Sequence, residues 1–271
     1  MKATSKPHLP ALAAQGALGI GIPTSHGGSG GSLTDLFHAV AQTAASSTAA
    51  ARIYAVQRHF AEVLLSSENI AVAQVRLPSI IGGDISGACT VTWPEQALAS
   101  QACLSGRPAG SGSVLRGALH PVYNVGERWY LVTALLRLGQ DSPPGLVLLS
   151  SEQDGLHRVP HGGADEGDDH AALTAEDVFF RGDEILQDDV GKHAEHLRQF
   201  AALLRCAISA GAATRAAMSM PARERAATQA MVARTVAVLM GAMQEHERMP
   251  AMGQLSDACA VLDARILRAA A

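Results

Sequence analysis

Cys89-Thr-Val-Thr92, Ser113-Val-Leu115, Trp129-Tyr-Leu-Val-Thr133, Gly145-Leu-Val-Leu-Leu149 and Asp177-Val-Phe-Phe180 are short, β-prone runs set between glycine and proline punctuation across residues 77–190. Short strands separated by turn signals predict an antiparallel barrel or sandwich rather than alternating βα units. On both sides of this stretch the pattern is helical. Within residues 1–76, Ser32 and Asp35 have capping-box spacing, and Leu33, Leu36, Phe37, Val40, Ala41 and Ala44 recur at helical intervals. A second run carries Ile53, Val56, Phe60, Val63 and Leu64. The glycines from Gly27 to Gly31 predict a loop before the first of these helices. Within residues 191–271, Phe200, Leu203, Leu204, Ala207 and Ile208 share one helical face. Met231, Val232, Val236, Leu239, Met240 and Met243 follow Pro221, and a last helix is expected near Leu255. The reading is α+β: a helical N-terminal region (1–76), a middle β-domain (77–190) and a helical C-terminal region (191–271).

At 271 residues, 48% hydrophobic and 17% charged, the chain can bury a sizeable core and is not of disordered composition. A formal charge of −4 argues against nucleic acid as a partner, and 4% aromatics leave few rings for base stacking. The four cysteines, Cys89, Cys103, Cys206 and Cys259, form no CxxC pair, which fits a reducing cytoplasm better than a disulfide scaffold or structural zinc. No run of 18 apolar residues is read, so neither a membrane span nor a signal peptide is expected.

Several local patterns invite chemistry. Gly27-Gly-Ser-Gly-Gly31 matches the GxSxG of a serine-hydrolase elbow with Ser29 as nucleophile, but the elbow needs parallel βα units that this pattern lacks. His157, His161 and His170 with Asp165, Glu166, Asp168 and Asp169 have no fixed ligand spacing and read as a solvated acidic turn, so no metal is expected. His193 and His196, flanking Glu195, read as helix-surface residues. Gly19-Ile-Gly21 lacks the third glycine and the acid of a dinucleotide fingerprint, and Gly106 to Gly112 lacks the Lys-Ser/Thr of a P-loop. Met218, Met220, Met231, Met240 and Met243 are read as core and gap-filling residues.

Taken in order, five segments resemble the flavin-dependent acyl-CoA dehydrogenase family. Leu18-Gly-Ile-Gly-Ile-Pro23 with His26-Gly-Gly-Ser-Gly30 resembles the family's glycine-rich entry to a helix. Asp35 through Leu65 resembles the next two helices. Cys89-Thr-Val-Thr-Trp-Pro94 falls where the family writes x-x-L-T-E-P, and Leu119-His-Pro-Val-Tyr-Asn124 where it writes K-x-W-I-T-N. Leu173 through Leu186 resembles the strand leaving the β-domain. The resemblance spans about residues 16–215 and takes the chain to be a shortened, divergent member.

It implies FAD held between the β-domain and the back helices, an acyl thioester substrate and a homo- or hetero-oligomer. It carries cofactor contact onto Thr92, Val122, Tyr123 and Asn124, with Tyr123 in place of a threonine and Pro121 in place of a tryptophan. Glu95-Gln-Ala-Leu-Ala99 departs from the family's G-x-G-S-D, and Arg223 and Arg225 stand near, without matching, its R-x-Q-F-G. Dehydrogenation needs a carboxylate to remove the α-proton while hydride leaves the β-carbon. The family's alternative place for that base falls at Leu197; Glu195, two residues away, is the candidate here, about 160° round the helix. The implied activity is oxidation of an acyl thioester at Cα–Cβ, with FAD as hydride acceptor. The alternative is a non-catalytic partner subunit of a heteromeric relative, whose helices leave apolar faces for a second subunit to cover. A serine hydrolase using Ser29 is a distant third.

Overall fold

The structure, a computed structural model, describes residues 8–90, 103–126, 129–139, 142–160, 170–246 and 249–270. Helices α1 (His8–Ala14), α2 (Leu33–Ser46), α3 (Thr48–Leu65) and α4 (Ile70–Ile81) come first. Eight strands follow: β1 (Ser86–Cys89), β2 (Cys103–Ala109), β3 (Gly112–Tyr123), β4 (Tyr130–Arg137), β5 (Gly145–Ser150), β6 (Leu156–Pro160), β7 (His170–Phe180) and β8 (Ile185–Gln187). Helices α5 (Ala194–Ala217), α6 (Ala222–His246) and α7 (Met252–Ala270) close the chain. The α+β plan is the one expected. The residues divide into two compact units that are each discontinuous in sequence: unit 1 is Met1–Leu18 with Val56–Leu197, and unit 2 is Gly19–Ala55 with Arg198–Ala271. The division passes through α3 and α5.

Unit 1 contains the sheet. Its strands run β6-β7-β3-β2-β4-β5-β8, with β1 also beside β4. The β2–β3, β3–β7, β4–β5, β5–β8 and β6–β7 pairs are antiparallel. However, β1 and β2 lie parallel to β4, pairing with Tyr130–Thr133 and Leu135–Arg137 in turn, so the sheet is mixed rather than wholly antiparallel. Two short strands thus share one side of a longer one, reached by crossovers that strand patterns alone do not announce. Leu104, Leu115, Val132, Leu149, Leu173 and Phe180 are among its buried core.

Three strands lie outside the five β-prone runs. β2 carries Gly106 and Pro108, β6 ends in Pro160, and β8 is three residues long, so each lacks the β-branched density that marks a strand. β7 begins at His170 instead of Asp177, because Ala171, Leu173 and Ala175 are buried against β3 despite their modest strand preference. α4 runs to Ile81, past the expected boundary at residue 76. Pro78 lies near its C-terminal end, where the missing N–H removes one helical bond while Leu77 and Ile80 stay buried. Asn69 caps α4 through Val72 N–H at 3.2 Å and donates its amide to the carbonyls of Asp183 and Ile185, fastening the α3–α4 turn to β8.

Unit 2 contains the glycine loop, α2, the first half of α3, nearly all of α5, and α6 and α7. The expected capping box forms: Asp35 N–H donates to Ser32 Oγ at 3.2 Å, and Ser32 N–H donates to Asp35 Oδ2 at 2.7 Å. Phe200, Leu203, Leu204 and Ala207 of α5 are buried, as their spacing predicts. Among the described residues, the stretch Ala222–Met243 of α6 is long and apolar enough by length and composition to cross a membrane, although Arg223, Glu224, Arg225 and Arg234 interrupt it. It packs on α7 and α2.

Candidate functional site

The end of β3 carries three of the four residues singled out for cofactor contact. Successive strand side chains point to opposite faces. Val122 faces the sheet core and is buried. Tyr123 is half-buried on the other face. Asn124 then turns the chain with φ +69° and is 3% exposed.

Asn124 Nδ2 donates to Gln57 Oε1 at 2.7 Å and to the Gly87 carbonyl at 2.9 Å. Gln57 Oε1 also accepts Gly87 N–H at 2.8 Å, and its Nε2 donates to the carbonyls of Ile80 (2.8 Å) and Ile85 (2.9 Å). One buried amide pair therefore ties α3, the end of α4, β1 and the end of β3 together. Asn124 holds the strand end in place, while the outer-face residue is Tyr123.

Tyr123 stacks on His170, its register partner in β7, with ring centroids 4.4 Å apart and planes inclined at 23°. His170 is buried beneath it. Nearby, burial raises the Tyr130 phenol above its ordinary range, partly offset by the charge of Arg158. At the end of β1, Thr90 Oγ1 donates to the Thr133 carbonyl at 2.8 Å. Burial pushes the Cys89 thiol up to about 12, partly offset by the Thr133 hydroxyl. Thr92, with Trp93 to Ala99, lies outside the described residues.

The Tyr123 and His170 rings thus form a two-ring stack on the face of the sheet opposite Val122.

The first turn of α5 is the second place of interest. Leu197, the position that the resemblance offers for a base, is fully buried and apolar. Glu195 is exposed, in keeping with its position across the helix. A carboxylate does meet this turn, but it comes from α3. Glu62 Oε1 lies 2.8 Å from His196 Nε2, and Glu62 Oε2 lies 3.9 Å from the buried guanidinium of Arg58. The Glu62 hydrogen bond holds the His196 imidazole above its ordinary pKa, against partial burial. One position from Arg58, burial pushes His59 down to about 4, with Glu62 opposing. Lys192 and His193 lie 3.4 and 4.0 Å from Glu68. The available signal for this cluster was the triplet Gln57-Arg58-His59, three consecutive polar residues between the apolar positions of α3, which the periodicity passes over.

In unit 2, Ser29 is exposed, and its N–H donates to the Gly19 carbonyl at 2.9 Å. Only isolated bridges from Ile20 and Ile22 to Gly30 precede it, and α2 starts four residues later at Leu33, so the strand-turn-helix of a nucleophile elbow is not formed. Gly28 is required by close approach: a Cβ there would lie 2.2 Å from the Ile22 carbonyl oxygen. Arg223 and Arg225 are exposed in the first turn of α6, and Arg225 donates to the Met220 carbonyl at 3.2 Å. His157 lies exposed on β6, while residues 161–169 are outside the described set. Among the described residues no three His, Cys, Asp or Glu side chains gather as metal ligands.

By sequence, no family model and no curated protein matches the chain. By fold, solved structures match almost all of it. Butyryl-CoA dehydrogenase from Megasphaera elsdenii superposes with a TM-score of 0.82 at 16% identity, over 96% of this chain and 76% of that one. PigA with FAD and proline gives 0.80 at 13% identity, over 96% and 76%. FkbI, for biosynthesis of the methoxymalonyl extender unit of a polyketide immunosuppressant, gives 0.78 at 14% identity, over 98% and 80%. The chain has the acyl-CoA dehydrogenase fold.

Proposed function

We propose that this chain is an acyl-CoA dehydrogenase-like flavoprotein that oxidises an acyl thioester at Cα–Cβ with FAD as hydride acceptor. The observation that carries this reading is the fold match over 96% of the chain to butyryl-CoA dehydrogenase. When bound, FAD supplies the two-electron acceptor that no side chain can provide. In this reading Tyr123, backed by His170, lies along the flavin ring, and Thr92 supplies a hydroxyl. Val122 and Asn124 act from behind, by holding the strand end rigid. The α-proton needs a carboxylate, and Glu195 is the residue of α5 offered for it, reaching substrate only if its exposed side chain turns from its present face.

A second reading, a non-catalytic partner subunit of a heteromeric relative, draws on one specific feature. Buried Leu197 occupies the position where a carboxylate would act.

A visible spectrum of the purified protein, incubated with FAD and desalted, separates the two. Retained flavin bands that bleach anaerobically with butyryl-CoA support the first reading. A folded, colourless protein that co-purifies with a full-length relative overturns it in favour of the second.

A further inference from the structure

Helices α5 and α7 of unit 2 meet along a row of polar contacts inside an otherwise apolar seam. Cys206 Sγ donates to the Leu255 carbonyl at 3.1 Å, and Ser209 Oγ donates to Asp263 Oδ1 at 2.6 Å. Arg205 reaches the same carboxylate at 3.5 Å. Leu255, Cys259 and Asp263 are four residues apart, so they stand one above another on a single face of α7. These contacts set the Cys206 thiol against the Leu255–Cys259 turn of α7, within interaction range of the Cys259 side chain. Both are free and buried, at 0% and 3% exposure. Buried cysteines commonly serve as small apolar fillers. Two on separate helices that neighbouring contacts bring together can also be joined by a disulfide, which needs side chains that face at short range.

We propose that Cys206 and Cys259 form a reversible disulfide that staples α5 to α7. The oxidant is a hydroperoxide, small enough to enter when the seam opens locally. Cys259, the more accessible thiol, loses its proton and attacks the O–O bond of hydrogen peroxide, giving a sulfenic acid and one water. The Cys206 sulfur then attacks the sulfenic sulfur, the S–O bond breaks, and the hydroxyl leaves with the Cys206 proton as a second water. The two sulfurs are oxidised and the two peroxide oxygens reduced. The neighbouring Cys259 thiol and burial hold Cys206 protonated, so the reaction is slow in the closed seam and proceeds on opening. The bridge would enclose α6 and make unit 2 more resistant to unfolding by restricting its open chain.

The test uses the full wild-type chain. Reduced protein is treated with hydrogen peroxide, quenched in acid with an alkylating agent, and mapped by mass spectrometry without reduction. The expected result is one linked species joining the Cys206 and Cys259 peptides, two hydrogens lighter than their sum, lost on adding dithiothreitol. The oxidised protein should also show a higher thermal midpoint than the reduced protein. Recovery of both peptides singly, alkylated or carrying sulfinic acid, overturns the proposal, as does a link from Cys206 to another cysteine. In C259S the link should vanish and Cys206 remain alkylatable. If C259S does not fold, the wild-type map decides alone.

Discussion

Asn124 and Gln57, 67 residues apart in sequence, join through a 2.7 Å amide–amide hydrogen bond that fastens the end of β3 to α3. Removing the Asn124 side chain leaves Gln57 Oε1 and the Gly87 carbonyl each short of a donor in a buried setting. Asn124→Ala should therefore cost about 2–4 kcal/mol in urea unfolding. Asn124→Gly should cost less than Asn124→Ala, because glycine relieves the left-handed backbone while losing the same bonds. Equal losses would mean that the backbone at Asn124 carries no strain.

Gly211 of α5 shows two effects of opposite sign. A glycine in a helix interior ordinarily gains about 1 kcal/mol on substitution by alanine. Here the added Cβ would lie 2.0 Å from the Ala41 carbonyl oxygen and 2.7 Å from the Ala44 Cβ. Backbone contact of that kind forces helices apart, so Gly211→Ala should lower stability by about 1–3 kcal/mol net. A stabilised variant in thermal unfolding would rule out the close α2–α5 approach.

Two histidines near the first turn of α5 give opposite pH dependences. His59 titrates at about 4 in the folded chain, below its ordinary 6.5, so its stabilisation is present above about pH 6.5 and is lost as pH falls toward 4. That difference corresponds to about 3 kcal/mol at full extent. His59→Asn should flatten the fall in stability between about pH 6.5 and pH 4, measured by urea midpoints. His196 has its folded pKa raised by Glu62, so its contribution is complete below about pH 6.5 and is lost as pH rises through the folded value. Glu62→Gln should remove this second dependence, with a small amplitude because His196 is partly exposed.

Tyr123 is the cofactor-facing residue of the proposed site. Tyr123→Ala should weaken FAD retention at least tenfold in equilibrium dialysis, through loss of the stacked ledge, whereas Tyr123→Phe should keep most of it. Unchanged retention in Tyr123→Ala would remove Tyr123 from the cofactor site.

Sequence patterns alone settled the helix–strand–helix order, the capping box at Ser32 and Asp35, and the buried faces of α2 and α5. Each is written in near-neighbour periodicity and local hydrogen bonding, which do not need the rest of the chain. The parallel placement of β1 and β2 on β4, the weakly marked strands β2, β6 and β8, and the continuation of α4 through Pro78 were decided by tertiary packing. In these elements burial against a distant partner outweighs a poor local propensity. The candidate site divides the same way. Alignment of short motifs located Val122, Tyr123 and Asn124, but only the fold turned Asn124 inward onto Gln57 and left Tyr123 against His170. It likewise brought Glu62 from α3 to His196, and Cys206 of α5 to the Leu255 carbonyl of α7, because a hydrogen bond between distant segments depends on where two backbones meet and leaves no spacing to read.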